Sequence, residues 1–420
     1  MRSFHEVARV LRHRDYRWLW ASQSTSVIGD SIVVVALGLF VIDRTGSATD
    51  LGLVLAANAL PMVVFLLIGG VWADRLPRHV VVIATDLTRF ALHALLAVLI
   101  FTGEITILQL AAIEALFGAA EAFFRPAVSG LVPQTVPEAD IQQANALLGI
   151  SRNGASFVGP ALATGLVLTV GAGWAFALDA ATFLVSAACM SRVRPRRREP
   201  GAAPAVVGAS ASVWSEVREG YREVRSRAWI WVTLVAFSVV VFAGVTPLFV
   251  LGAIVARARY GHTAVFGVLI AVLGVGTIAG SLAGVTWRPR HPMRMAMFVI
   301  MLWPPSMLLF GSGVTLWIVL PAVALGGLGI ALFDVLWLTA LAERIPPEKL
   351  SRVTSYDWLI SGALSPIGFI VAGPLASALG AVAVLLGGTL VTAIALAAAL
   401  VPRETWRLER LPVDRVGSTT

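Results

Sequence analysis

The sequence predicts an all-α integral membrane protein, with twelve transmembrane helices arranged as two pseudo-symmetric six-helix bundles. Three observations predict it. Apolar residues fill 58% of the 420 positions and charged residues 13%, against roughly 45–50% and about 25% in soluble domains. So few charges cannot clothe a water-soluble particle, and the apolar surplus has to face lipid. Twelve stretches reach the roughly 20 mainly apolar residues that crossing a bilayer requires. Lastly, the basic residues crowd onto one side of those twelve stretches.

In order, the stretches run over 18–42, 51–73, 80–101, 106–128, 141–169, 174–191, 229–255, 263–287, 294–312, 315–341, 352–378 and 380–401. Glycine and proline inside them are no objection, because neighbouring helices satisfy the freed backbone groups. Residues 1–17 are polar and basic, and the apolar run after them has the length of a full span rather than of a cleavable signal.

An even number of spans puts both termini on one side. Of the 32 Lys and Arg residues, 26 fall on that side, three (Arg44, Arg257, Arg259) on the other, and three (Arg89, Arg125, Arg152) inside spans. Basic loops stay in the cytoplasm, so both termini are expected there, with the chain in the plasma (inner) membrane. The organisation that follows is a bundle over 1–191, a cytoplasmic linker over 192–228, a second bundle over 229–401 and a tail over 402–420. The linker opens on Arg192, Arg194, Arg196, Arg197 and Arg198 and closes on a predicted amphipathic helix near Trp214–Arg227. Its charges suit lipid headgroups. With a net charge of +8 confined to loops beside the membrane, no nucleic-acid partner is expected.

The two halves echo one another. A shift of about 210 residues lays Gly70 on Gly280, each followed by a basic turn, and Val136-Pro137-Glu138 on Ile345-Pro346-Pro347-Glu348. It also lays Gly159 on Gly368. Two parallel six-helix repeats are what alternating-access transport uses, with the solute held between them near mid-membrane.

At this point the chain resembles the major facilitator superfamily. Gly70-Val71-Trp72-Ala73-Asp74-Arg75-Leu76-Pro77-Arg78-His79 is similar to that family's motif Gly-x-x-x-Asp-Arg-x-x-Arg-Arg between its second and third helices, with His79 in the last place. The resemblance is strongest to the twelve-helix drug:proton antiporter group that holds macrolide efflux proteins and the enterobactin exporter. It rests on Gln23, Gly29-Asp30, Thr45-Gly46-Ser47, Asn58-Ala59-Leu60-Pro61, Phe124-Arg125-Pro126-Ala127, Ala144-Asn145-Ala146 and Gly159-Pro160. Gly159-Pro160 matches the start of the family's fifth-helix antiporter motif, whose two terminal glycines are replaced here by Ala163 and Thr164. The resemblance implies a cytoplasmic gate at Gly70, Asp74, Arg75 and Arg78, with Asp74 meeting the N-terminal end of the eleventh helix near Ser351–Ser355.

Ionisable groups inside spans cost roughly 2.5–3.5 kcal/mol each on insertion scales and mark functional sites by default. Asp30 lies near the middle of the first span, too deep to reach either interface. A carboxyl shifted between water and hydrocarbon favours its neutral form in the latter, so Asp30 is the first candidate to carry a coupling proton. Glu114 has no basic partner on its own helix and is the second. Glu121 and Arg125 have i,i+4 ion-pair spacing, which suits bracing at the inner mouth as well as substrate contact. Arg152 needs a carboxylate, and by the family's geometry Asp30 or Glu121 would supply it. Asp86 and Arg89 at i,i+3 read as a structural pair near the inner surface. Asp334 joins Gln23, Asp30, Glu114, Glu121 and Arg152 as an expected cavity residue, because the tenth helix lines the cavity in the family.

An enzyme is not expected. Cys189 is the sole cysteine; no His/Cys/Asp grouping has metal-ligand spacing, and neither a phosphate-binding loop nor a Gly-x-Ser-x-Gly elbow occurs. No metal or cofactor follows. The expected partners are a small-molecule substrate, protons and the bilayer, and the chain is expected to act as a monomer. The expected function is export of small, largely apolar compounds (a drug, an antibiotic or a siderophore-like molecule) by proton antiport. The alternatives are proton-coupled uptake of a small solute and, from another class, a non-transporting sensor or assembly partner.

Overall fold

The structure is a computed structural model that describes residues 10–137, 140–195, 221–345 and 347–409. Among the described residues there are helices and no strands. A 3-10 turn over Val10–Arg12 leads into α1 (Arg14–Thr45), α2 (Ala48–Arg75), α3 (Arg78–Thr102), α4 (Ile107–Thr135), α5 (Ile141–Thr169) and α6 (Ala172–Met190). After the linker come α7 (Ala228–Tyr260), α8 (Ala264–Thr286), α9 (Pro292–Ser312, interrupted at Met301 and Leu302), α10 (Leu316–Arg344), α11 (Pro347–Leu379) and α12 (Ala381–Ala399). Ten of these are long and apolar enough to cross a membrane by length and composition. α11 contributes the shorter apolar stretch Leu364–Leu379. α5 has 29 residues, about 44 Å at 1.5 Å each, but Arg152, Asn153 and Ser156 dilute its apolar character. Of the predicted linker helix, residues 221–225 are helical and the part before them lies outside the described residues.

Helix ends follow local chemistry. Thr106 and Gln109 form a capping box at the start of α4, each side chain bonding the other residue's backbone N–H. Gly46 and Gly103 take left-handed conformations at the ends of α1 and α3, where a side chain would be strained.

Two compact units emerge. One comprises Met1–Ala203 with Gly252–Ala271 and Phe369–Pro374; the other comprises Pro204–Leu251, Val272–Gly368 and Leu375–Thr420. In the first, α1 packs on α5 and α6, α2 on α4, and α3 on α4 and α6. At the end where the chain enters α1, its core is closed by Tyr16, Leu19, Val82, Phe124, Leu131, Ala144 and Met190, with the Tyr16 hydroxyl donating to the Ala144 carbonyl at 2.7 Å. Thr263 donates to Asp43 at 3.1 Å at the far end of the same unit.

The repeat seen in the sequence returns as repeated packing inside each unit. A Cβ on Gly159 would overlap Ser31, so α5 lies directly on α1. A Cβ on Gly368 would press on Thr246, bringing α11 onto α7 in the same way. Likewise a Cβ on Gly118 would overlap the Asn58 backbone between α4 and α2, and one on Gly276 would overlap Ala324 between α8 and α10. Small residues let helix backbones approach closely where lipid supplies no hydrophobic drive. One asymmetry is a π-helical turn at Val240–Val245 in α7, where Thr246 donates its hydroxyl to the Val241 carbonyl five residues back at 2.7 Å.

Candidate functional site

The first unit holds a buried group of ionisable side chains contributed by four helices. From α3 come Asp86, Arg89 and His93, spaced three and four apart so that they share one face. α1 supplies Asp30, α4 supplies Glu114, and α6 supplies Asp179. Asp86, Arg89, His93, Glu114 and Asp179 are all buried.

Arg89 is the hub of one half. Its Nη2 is bonded to Asp86, and its Nη1 stands 4.0 Å from Oδ1 of Asp30. The guanidinium lies 3.8 Å above the ring of Phe124 and 4.3 Å from that of Phe183, which favours a cation over a neutral group. Ser186 donates to the second oxygen of Asp86 at 2.6 Å, and Ser22 bonds Ser186 at 2.8 Å. Asp30 differs from the others in being accessible, its side chain 36% exposed.

His93 is the hub of the other half. Its Nδ1 bonds Asp179, and its Nε2 stands 3.7 Å from Oε1 of Glu114. The ring stacks on Phe117 at 4.2 Å. Asn58 of α2 donates to the other oxygen of Glu114 at 2.8 Å. Gly29, beside Asp30, makes room for Asp179: a Cβ there would overlap its carboxylate and the Thr182 hydroxyl.

Counted by charge, the group has four carboxyls against one guanidinium and one imidazole. Even with His93 charged, full ionisation leaves a net negative charge in a low-dielectric interior, which is costly. Bound protons or a bound cation would relieve that excess. Among the described residues no group of three or more His, Cys, Asp or Glu has the arrangement of a metal site.

The other sequence-predicted residues fall as follows. Gln23 is buried on α1 with its Nε2 unbonded. Glu121 and Arg125 form the expected i,i+4 pair, with bonds of 2.9 and 2.6 Å. Arg152 is exposed on α5 and pairs with neither Asp30 nor Glu121; Arg89 takes the place beside Asp30. That corrects the sequence expectation, and the reason is that α3, not α5, turns its charged face toward Asp30. Asp334, in the second unit, borders a small recess with Thr233, Phe237, Phe333 and Trp337, where Phe237 stacks on Phe333 at 5.2 Å. Gly159 and Pro160 lie buried in α5. Gly70, Asp74 and Arg75 belong to α2, but their side chains, like the contact near Ser351–Ser355, lie outside the described residues. Arg78 donates to the Gly130 carbonyl at 2.7 Å, tying the α2–α3 turn to α4.

Sequence reasoning passed over His93 and left Asp179 unassigned. The signal was present: Asp86, Arg89 and His93 at i, i+3 and i+7 make a charged stripe on an otherwise apolar span.

Residues 19–368 match the family model described as Major Facilitator Superfamily. Macrolide efflux protein A of Streptococcus pyogenes is 24% identical over 393 residues, covering 90% of this chain and 93% of that protein. The multidrug efflux pump Tap of Mycolicibacterium fortuitum is 25% identical over 374 residues, covering 85% and 88%. Among solved structures, the nucleoside transporter NupG superposes with a TM-score of 0.68 at 12% identity over 94% of this chain and 99% of that one. A bacterial homologue of the human lysosomal transporter Spinster gives 0.67 at 14% identity over 94% and 95%.

Proposed function

This chain belongs to the major facilitator superfamily, and on that premise we propose that it is a proton-coupled exporter of small, largely apolar compounds. It would act as a monomer in the plasma (inner) membrane with both termini in the cytoplasm. The observation that carries the reading is the excess of buried carboxyls over buried cations around Arg89 and His93. Such a group holds protons when closed off and surrenders them when water reaches it. Asp30, the accessible member, takes the coupling proton, and Glu114 assists. Alternate exposure of Asp30 to the two faces of the membrane then converts the proton gradient into solute movement.

Export is favoured over uptake by Gly159-Pro160 on α5 and by relatives named as efflux proteins. Small apolar cargo is favoured by helices that offer few fixed polar handles, α7 carrying only Thr233, Ser238 and Thr246 as polar residues before its final turns. The experiment is uptake of a radiolabelled macrolide into everted vesicles energised by an acid lumen, where inward movement corresponds to export, with release of protons from the lumen followed in parallel. Wild-type protein is expected to move solute and protons together, and Asp30→Asn to move neither against a gradient. Full proton-driven transport by Asp30→Asn removes Asp30 from the mechanism.

A further inference from the structure

We propose that His93 relays the proton between Glu114 on α4 and Asp179 on α6; this rests on the reading that the buried group holds the coupling proton. The imidazole spans the two carboxyls with opposite edges of its ring. On one edge Nδ1 is bonded to Asp179; on the other, Nε2 faces Oε1 of Glu114 across 3.7 Å. Both atoms flanking that gap are buried and make no hydrogen bond. A buried donor and a buried acceptor left unmatched are a cost a folded protein rarely carries, and here they point at each other. Closing the gap by less than about 1 Å would give an ordinary hydrogen bond.

The surroundings hold the ring in that role. Phe117 lies flat against it, with Phe176 and Phe183 at its edge, so it is confined between the two carboxyls. Asn58 fixes the far oxygen of Glu114 at 2.8 Å, aiming the near one at Nε2. The Thr182 hydroxyl, which donates to the Asp179 carbonyl at 2.7 Å, stands 3.4 Å from the carboxylate's second oxygen. Other charged groups around His93 are Arg89, one turn back on α3, Asp86 beyond it, and Asp30 on α1 beside Arg89.

The transfer balances without a further reactant. Protonated Glu114 gives its proton to Nε2, one O–H bond breaking and one N–H bond forming. The Nδ1 proton passes to Asp179, where an N–H bond breaks and an O–H bond forms. Imidazole ends neutral in its other tautomer, and one proton has moved from the α4 side to the α6 side, where Asp179 rests against Gly29 next to Asp30.

The test needs no solute. The full chain in lipid nanodiscs is titrated while the infrared bands of protonated carboxyls are followed, with Glu114→Gln identifying the Glu114 band. In His93→Gln the relay requires the midpoint of that band to move by about one pH unit or more, a tenfold change in proton affinity. An unchanged midpoint overturns the proposal, including the case where His93→Gln merely lowers the unfolding temperature, since a structural role alone would do that. Should His93→Gln fail to fold, Asp179→Asn keeps the imidazole and replaces its far carboxyl by an amide that cannot take up the proton, and a shift of that size is required there. Failure of the vesicle experiment with these spectra intact would sink the export reading and leave the relay standing.

Discussion

Arg89 serves two carboxylates at once: its Nη2 bonds Asp86 within α3, and its Nη1 stands 4.0 Å from Asp30 of α1. The two partners are unequal. Asp86 is fully buried and also accepts from Ser186, so its charge is well compensated. Asp30 has only the longer contact and an open side. The guanidinium therefore fixes Asp86 as part of the scaffold and holds Asp30 less tightly.

The first prediction concerns that guanidinium. Removing one partner of a buried ion pair strands the other's charge and costs about 3–5 kcal/mol. Arg89→Ala is expected to lose that much stability, read as thermal unfolding in detergent, and Arg89→Ala with Asp86→Asn to regain part of it. Arg89→Lys is expected to fall between them, because an ammonium cannot present a planar fork to two carboxylates. An Arg89→Ala protein as stable as wild type would mean the pair does not hold the unit together.

The second prediction concerns close approach. Gly29 admits the Asp179 carboxylate and Gly159 admits Ser31, each where a Cβ would overlap. Overpacking of this kind costs about 1–3 kcal/mol, so Gly29→Ala and Gly159→Ala should each lower the unfolding temperature. Gly149, also in α5, has open space where its Cβ would be, and Gly149→Ala should be neutral or better. Equal effects at all three positions would show helix propensity, not packing, at work.

Much of this was readable from the residues alone. Composition and basic-residue placement need only single positions, and they led to the spans; the repeat needed only spacing, and it reappears as Gly159 on Ser31 and Gly368 on Thr246. Pairs within one helix were equally legible: Asp86–Arg89 and Glu121–Arg125 are where periodicity puts them. Which helices face each other was not. Periodicity says that Asp30 needs a partner but not that α3 provides it, so Arg152 was expected where Arg89 stands. For His93 the stripe it shares with Asp86 and Arg89 was legible, but its partners Glu114 and Asp179 arrive from two other helices, and periodicity does not name them.

The last prediction separates bracing from substrate contact at Glu121–Arg125. The pair is well formed, with two hydrogen bonds to one carboxylate oxygen, but Arg125 is 51% exposed. An exposed i,i+4 pair contributes about 0.3–0.5 kcal/mol. Glu121→Gln with Arg125→Gln should therefore unfold within a degree or two of wild type. If the pair only braces α4, solute export by this double variant should stay close to wild type as well. If the pair meets cargo, export should fall several-fold while unfolding is unchanged, and charged and neutral compounds should be affected differently. The bonding pattern favours bracing: Glu121 turns its carboxylate along its own helix to Arg125, and neither residue joins the group around Arg89 and His93 by a hydrogen bond. Export measured across a panel of neutral and cationic compounds decides between the two.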